Sequence, residues 1–462
     1  MKNWISYEDI YKENKKRGTS TLIGSFFYFF LIGSSYNWGV VSDYYSSYIL
    51  QKSLNKNAFT LIKLGVSFQF FFQYLAMSLE SVTIKLPLNT KQFLLISLTT
   101  TIISYMILVL FGNIFVFFLV MMLTGFSNGL VYLKILKNVW QYFPSKYKGQ
   151  ITGMIMAGLG LSSFILNPVS HYIINPTKLG YDFDKYYLFS IPERTKNYVI
   201  FLFFFFATLG LIGYFLIYNN EIQNMNLPQS KSMHTLQISK GYNPDNYQSF
   251  IEILYTKTFI EMALIIFCLS FFTIFLSISF PSYARVKYVD EFYVQLASLG
   301  FPFINGFGRM IWGMLLDKSS YRAILRVIFL LQITTIVVIL FINSEIIIFL
   351  MILLGAVCLS GLMGTMPVIF NKVFGIKYGA EVFGVGNLMV GFSSMMGSTL
   401  VGFIDISGVF FLGGILVILG WLVFVVFSRE QREKEKQREN DNDNDLEEDL
   451  LDEEEKDKEK LD

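Results

Sequence analysis

The sequence predicts an all-α membrane protein of twelve transmembrane helices in two six-helix halves, and three observations predict it. Hydrophobic residues make up 53% of the 462 positions and charged ones 16%, too little polar cover for a soluble body of that size. The charges are bunched into short stretches, and the apolar runs between them are about 20 residues long, the length that spans a bilayer. A long polar connection, from Tyr218 to Lys257, divides those runs six and six.

Residues 1–18 form a polar segment carrying Lys12, Lys15, Lys16 and Arg17. The apolar run behind it is too long for a signal-peptide core and is followed by no small-residue cleavage site, so a retained first helix with a cytosolic N-terminus is expected. The first half, residues 19–218, carries predicted spans at 19–41, 61–79, 93–111, 114–136, 149–173 and 198–217. Residues 219–257, with Pro228, Pro244 and many Asn, Gln and Ser, read as a cytosolic linker. The second half, residues 258–428, carries spans at 259–280, 293–316, 324–341, 346–370, 379–403 and 409–427. Residues 429–462 open basic and turn acidic without one aromatic residue; such a run buries no core and is expected to be disordered cytosolic tail.

Charge sets the orientation. Lys134, Lys137, Lys146 and Lys148 cluster at the fourth-to-fifth connection with no acid among them, and Lys318, Arg322 and Arg326 mark the eighth-to-ninth; both connections are expected on the cytosolic side. The loop at 175–197 carries Lys178, Lys185, Arg194 and Lys196 but offsets them with Asp182, Asp184 and Glu193.

Cys268 and Cys358 sit inside apolar runs, and His171 and His234 stand far apart without metal-ligand spacing, so neither a metal site nor a cofactor is expected. No nucleophile, base and orienting group come together in the spans, which argues against an enzyme. The partners implied are the lipid bilayer and a small-molecule solute, with no nucleic acid. One chain supplies both halves, so a functional monomer is expected.

A charge in mid-span costs a few kcal/mol and marks a candidate site. Arg309, inside the apolar run 299–316, is the clearest, because a fixed cation with several planar donors suits capture of a carboxylate. The alternatives are an arginine that snorkels and one paired to a neighbouring helix. Lys134 and Lys137 read as snorkelling from the end of the fourth span, and Asp43, Glu80, Glu261 and Glu381 as interfacial residues at span ends. Glycines at close-packing spacing, among them Gly125, Gly129, Gly153, Gly160, Gly306 and Gly313, let helix backbones approach one another. The turn from Gly313 through Asp317 and Lys318 to Arg322 places an acid beside two bases. There the carboxylate can face a helix N-terminus of the opposite half, as a latch made in one state and broken in another.

That turn resembles the signature loop of the major facilitator superfamily in its second-half copy. Trp140 to Pro144, Lys148-Gly149, Thr152-Gly153, Gly158 to Phe164, Asn167 and Asn175-Pro176 resemble the fourth-to-fifth helix region of the oxalate/formate antiporter-like group, related to monocarboxylate porters, especially its protist members. Tyr36-Asn-Trp38-Gly39 and Asn305 through Arg309 to Gly313 are similar to the same group. The resemblance implies alternating access between two halves around a central site. It also implies that Arg309 binds the substrate carboxylate, with Asn305 beside it and Tyr36, Trp38 and Tyr132 lining the cavity, and that Gly313, Asp317, Lys318 and Arg322 form the gating loop. Three departures stand out. The eleventh helix has no cation around Asn387, the position one turn before Arg309 is Asn305 rather than an acid, and the first-half signature loop, Met77 to Glu80, lacks its glycines. The expected function is transport of a small organic anion, monocarboxylate-like or oxalate/formate-like, as an antiporter or facilitator. The alternatives are a carrier of neutral amino acids or another small metabolite, and a non-transporting membrane sensor that signals through the charged tail.

Overall fold

The computed structural model describes residues 7–53, 57–177, 190–219, 249–401 and 403–459. Nearly all of the expected linker, with Pro228, Pro244 and His234, lies outside the described residues, as do residues 1–6 of the N-terminal segment, residues 178–189 of the loop after the fifth span and the last three residues of the tail.

All regular structure among the described residues is helical. The first half runs α1 (Tyr7–Gly33), a 3-10 turn (Ser34–Asn37), α2 (Trp38–Ser53), α3 (Ala58–Ser78), the short α4 (Glu80–Thr83), α5 (Thr90–Phe111), α6 (Ile114–Trp140), α7 (Lys148–Ile174) and α8 (Ser190–Leu216). The second runs α9 (Phe250–Leu254), α10 (Lys257–Val286), α11 (Glu291–Lys318), α12 (Tyr321–Phe341), α13 (Glu345–Gly386), α14 (Leu388–Leu400) and α15 (Ile406–Glu459).

Nine helical segments among the described residues are long and apolar enough to cross a bilayer. The three other predicted crossings are helical too: α1 with α2, α11, and the end of α13 with α14. Their apolar runs are interrupted by polar side chains, including Ser34, Ser35 and Asn37 in the first, Asn305 and Arg309 in the second, and Asn387, Ser393 and Ser394 in the third, all buried.

Local chemistry sets the element ends. Asn89 and Gln92 form a reciprocal capping box that opens α5, and Asn113 caps α6 through the amide of Val116, satisfying backbone donors that a helix start leaves orphaned. Gly112, with φ at +42°, closes α5 in the left-handed region, where glycine carries no Cβ penalty. Gly375, with φ at +82° and ψ at 169°, separates the tenth and eleventh predicted spans inside α13. The first predicted span is the one most changed: it is longer than expected and broken at the 3-10 turn. Polar side chains hold the break, since Asn37 donates to Asn167 Oδ1 at 2.9 Å and accepts from the Tyr198 hydroxyl at 2.6 Å. Beyond Phe427 the backbone of α15 continues helically to Glu459, over the segment expected to be disordered. Its Glu, Lys, Arg and Gln residues are good helix formers.

The halves meet along two principal seams. In the first, α7 lies against α11 with Gly149 facing Gly313, Gly153 facing the Arg309 backbone and Gly160 facing Gly306, so close that a Cβ at any of them would overlap the opposite main chain. Farther along, Phe164 meets Phe303 at 5.3 Å and Asn167 donates to the Ser298 carbonyl at 3.4 Å. In the second seam α3 runs against the end of α13 and α14, from Gly384 on the Met77 carbonyl, past Phe71 against Phe392 at 5.4 Å, to a 2.5 Å hydrogen bond between Ser67 and Ser398. Both seams are closed toward both ends.

Candidate functional site

Arg309 is fully buried midway along the first seam. Gly153 of α7 and Gly364 of α13 abut its backbone, so only residues without a Cβ leave room for α11 there. Its guanidinium is held from one turn back: Nε and one terminal nitrogen donate to Asn305 Oδ1 at 3.3 and 3.2 Å. The other terminal nitrogen crosses the seam to the Met156 carbonyl at 3.4 Å. No carboxylate among the described residues stands within ion-pair distance of it. Arg309 therefore neither snorkels nor pairs with an acid. A buried guanidinium without a counter-ion costs several kcal/mol even when its donors are partly satisfied.

Tyr132 on α6 stands against the same strip of α7, its hydroxyl 3.9 Å from Met156 Sδ and its ring 4.8 Å from Phe29. Tyr36, half-buried in the 3-10 turn, packs its ring 5.2 Å from Phe70. Tyr132 lies within electrostatic range of both Arg309 and Tyr36, and Tyr74 of α3, buried, lies in range of all three. The fifth expected member stands apart. Trp38 is buried inside the first half, donating to the Tyr105 hydroxyl at 3.1 Å and packing edge-on against Phe117 and Tyr45. It is held there because an indole N–H placed in hydrocarbon needs an acceptor, and Tyr105 supplies one within the bundle.

At one end of the first seam the Asp317 carboxylate accepts from the backbone amides of Gly149 at 2.8 Å and Gln150 at 2.7 Å. These are orphan donors of the first turn of α7, where helix partial charge also favours an anion. Lys372 of α13 donates to the Leu316 carbonyl at 3.1 Å and lies in range of Asp317. Gly313 faces Gly149 across this contact, while Lys318 is exposed and Arg322 is half-buried with its guanidinium over the Tyr321 ring.

At the same end of the second seam, Glu80 pairs with Lys134 at 3.0 Å and with Lys137 at 3.4 Å, and Lys137 reaches across to Glu381 at 2.9 Å. The snorkelling reading of the two lysines and the interfacial reading of the two acids give way here. Lys134, Glu80 and Glu381 are each at most 8% exposed, and a buried lysine needs an ionised partner rather than an interface. Tyr74, Lys372 and the Lys137–Glu381 contact are absent from the sequence reading. Of these, only opposite charges on separate spans left a trace in the sequence.

The sequence profile of the Major Facilitator Superfamily matches residues 262–453. No curated protein matches the chain in sequence. Among solved structures, the human organic anion transporter MFSD10 (TETRAN) superposes with a TM-score of 0.62, over 88% of this chain and 99% of that chain, at 12% sequence identity. The fold is that of the major facilitator superfamily, and the protein is a multi-pass membrane protein.

Proposed function

We propose that this chain, with a major facilitator fold and the family's sequence pattern in its second half, is a secondary carrier that moves a small organic anion by rocking one half against the other. The observation that carries this reading is Arg309: a fully buried guanidinium on the seam between the halves, oriented by Asn305 and without a carboxylate of its own among the described residues. A solute carboxylate completes it. One cation suits one negative charge, and the eleventh predicted span offers no second cation around Asn387 for a dicarboxylate. The organic anions carried by MFSD10, according to its description, agree with this class of solute, although Arg309 rather than that likeness supports it here. The end bearing Asp317, Glu80 and Glu381 faces the cytosol, where Lys134, Lys137, Lys146 and Lys148 gather, so the described arrangement has its cytosolic latches made.

The test is uptake by purified protein in vesicles, against labelled monocarboxylates, oxalate and neutral amino acids. Charge-assisted hydrogen bonds contribute about 1.5–3 kcal/mol, so Arg309→Ala raises the half-saturating concentration of a carried monocarboxylate about tenfold or more. An Arg309→Ala protein that reaches the membrane and carries the acid with unchanged affinity overturns the assignment.

A further inference from the structure

Tyr74 of α3 and Tyr132 of α6 lie in electrostatic range of Arg309, and Tyr36 of the broken first span lies in range of both tyrosines. Position ties them together. Tyr74 stands one turn beyond Phe70, whose ring packs on Tyr36; Tyr132 and Arg309 both contact Met156; and Tyr74 lies in electrostatic range of all three. Tyr74 is 5% exposed and Tyr132 4%. Among the described residues the hydroxyls of Tyr36 and Tyr74 have no hydrogen-bond partner, and that of Tyr132 has only the Met156 sulfur, a weak acceptor. The two acceptors that face Arg309, Asn305 Oδ1 and the Met156 carbonyl, already receive its N–H groups. Three phenols without a strong acceptor therefore gather on the first-half side of a guanidinium that has no counter-ion among the described residues.

We infer that Tyr74, with Tyr36 and Tyr132, forms a donor cluster that binds a second acceptor oxygen on the solute, selecting oxygen-bearing monoanions and excluding zwitterionic amino acids. This rests on the reading of Arg309 as the carboxylate ligand. With the carboxylate on Arg309, an oxygen on the neighbouring carbon falls toward the first-half side, where the hydroxyls are. An ammonium group at that carbon is disfavoured because it stands beside Arg309 with no carboxylate among the described residues within ion-pair distance to offset it. A site built to donate hydrogen bonds discriminates strongly against a solute that leaves its donors unpaired.

Butanoate, 2-oxobutanoate and 2-aminobutanoate share one carbon chain and differ only at the second carbon. In reconstituted vesicles the wild type takes up 2-oxobutanoate with the lowest half-saturating concentration and is not inhibited by 2-aminobutanoate. Tyr74→Phe keeps the ring and removes the hydroxyl. It raises the value for 2-oxobutanoate about fivefold more than that for butanoate. A general packing defect would shift both acids together. Tyr132→Phe is the second variant should Tyr74→Phe fold poorly, and the same selective loss is expected of it. An unchanged ratio between the two acids in both variants, or efficient uptake of 2-aminobutanoate by the wild type, overturns the donor cluster while leaving Arg309 as the anion ligand. Carboxylate uptake indifferent to Arg309→Ala, or no uptake of any acid, overturns both.

Discussion

Asn305 decides what kind of cation Arg309 is. Its Oδ1 accepts two of the guanidinium's N–H groups, fixing the fork without cancelling its charge. Asn305→Asp would keep the acceptor and add the missing counter-ion, so an incoming carboxylate would have to displace an internal one. Affinity for a monocarboxylate is expected to fall at least tenfold, on the order of one charge-assisted hydrogen bond, and to stay low as the medium is acidified to about pH 5, because a carboxylate paired to a guanidinium titrates below the ordinary carboxylate range. Uptake measured across a pH series checks this, and a variant with wild-type affinity at every pH would contradict the role given to Asn305. Arg309 was legible in the sequence because a charge inside an apolar run stands out. Tyr74 was not, because with 48 Phe and 27 Tyr one more aromatic residue carries no signal until packing shows which rings meet. Trp38 was expected in the cavity from the resemblance alone; its indole donates to Tyr105 inside the first half, a partner distant in sequence that no local pattern names.

Among the elements, α7 and α11 do most to link structure to movement. Their glycines bring the backbones together at three levels, and Asp317 ties the start of α7 with two short hydrogen bonds. The seam is thus dry and close, and the tie is polar and breakable, as a contact made in only one state requires. Asp317→Asn removes the negative charge from the helix start, where such an anion contributes about 0.3–2 kcal/mol. The population should shift toward states with this end open. Spin labels at the exposed positions Tyr147 and Lys318 are expected to report longer distances in the variant than in the wild type, and identical distributions would show that the contact holds nothing closed. Gly153→Ala strains the same seam from within: its Cβ would overlap the Arg309 main chain, so a lower melting temperature and weaker transport are expected together. Periodicity and run length placed the helices but could not show the break at Ser34–Asn37 or the continuation of α15. The first depends on Asn167 and Tyr198, distant in sequence, and the second on helix propensity outweighing the missing apolar pattern.

For the whole molecule, the consequence of Arg309 is a cost on moving empty. Both seams close around it, and in that arrangement the guanidinium is withdrawn from water. On the proposed function a bound monocarboxylate would neutralise it there, whereas an empty carrier passing through the same arrangement would bury an unpaired charge. The effective penalty for such a charge is several kcal/mol. Even about 3 kcal/mol of it appearing in the barrier would slow the empty step roughly a hundredfold, at 1.36 kcal/mol per factor of ten. The loaded step escapes that penalty, so the protein should exchange solutes much faster than it lets them run down a gradient. Vesicles preloaded with labelled monocarboxylate are therefore expected to lose label rapidly into medium containing unlabelled acid and slowly into medium without it. In Arg309→Ala, with no charge to bury, the two rates should converge even though affinity is poor. Equal efflux from the wild type into both media would mean that the empty carrier reorients freely, and that water or movement of the halves shields Arg309 during the crossing.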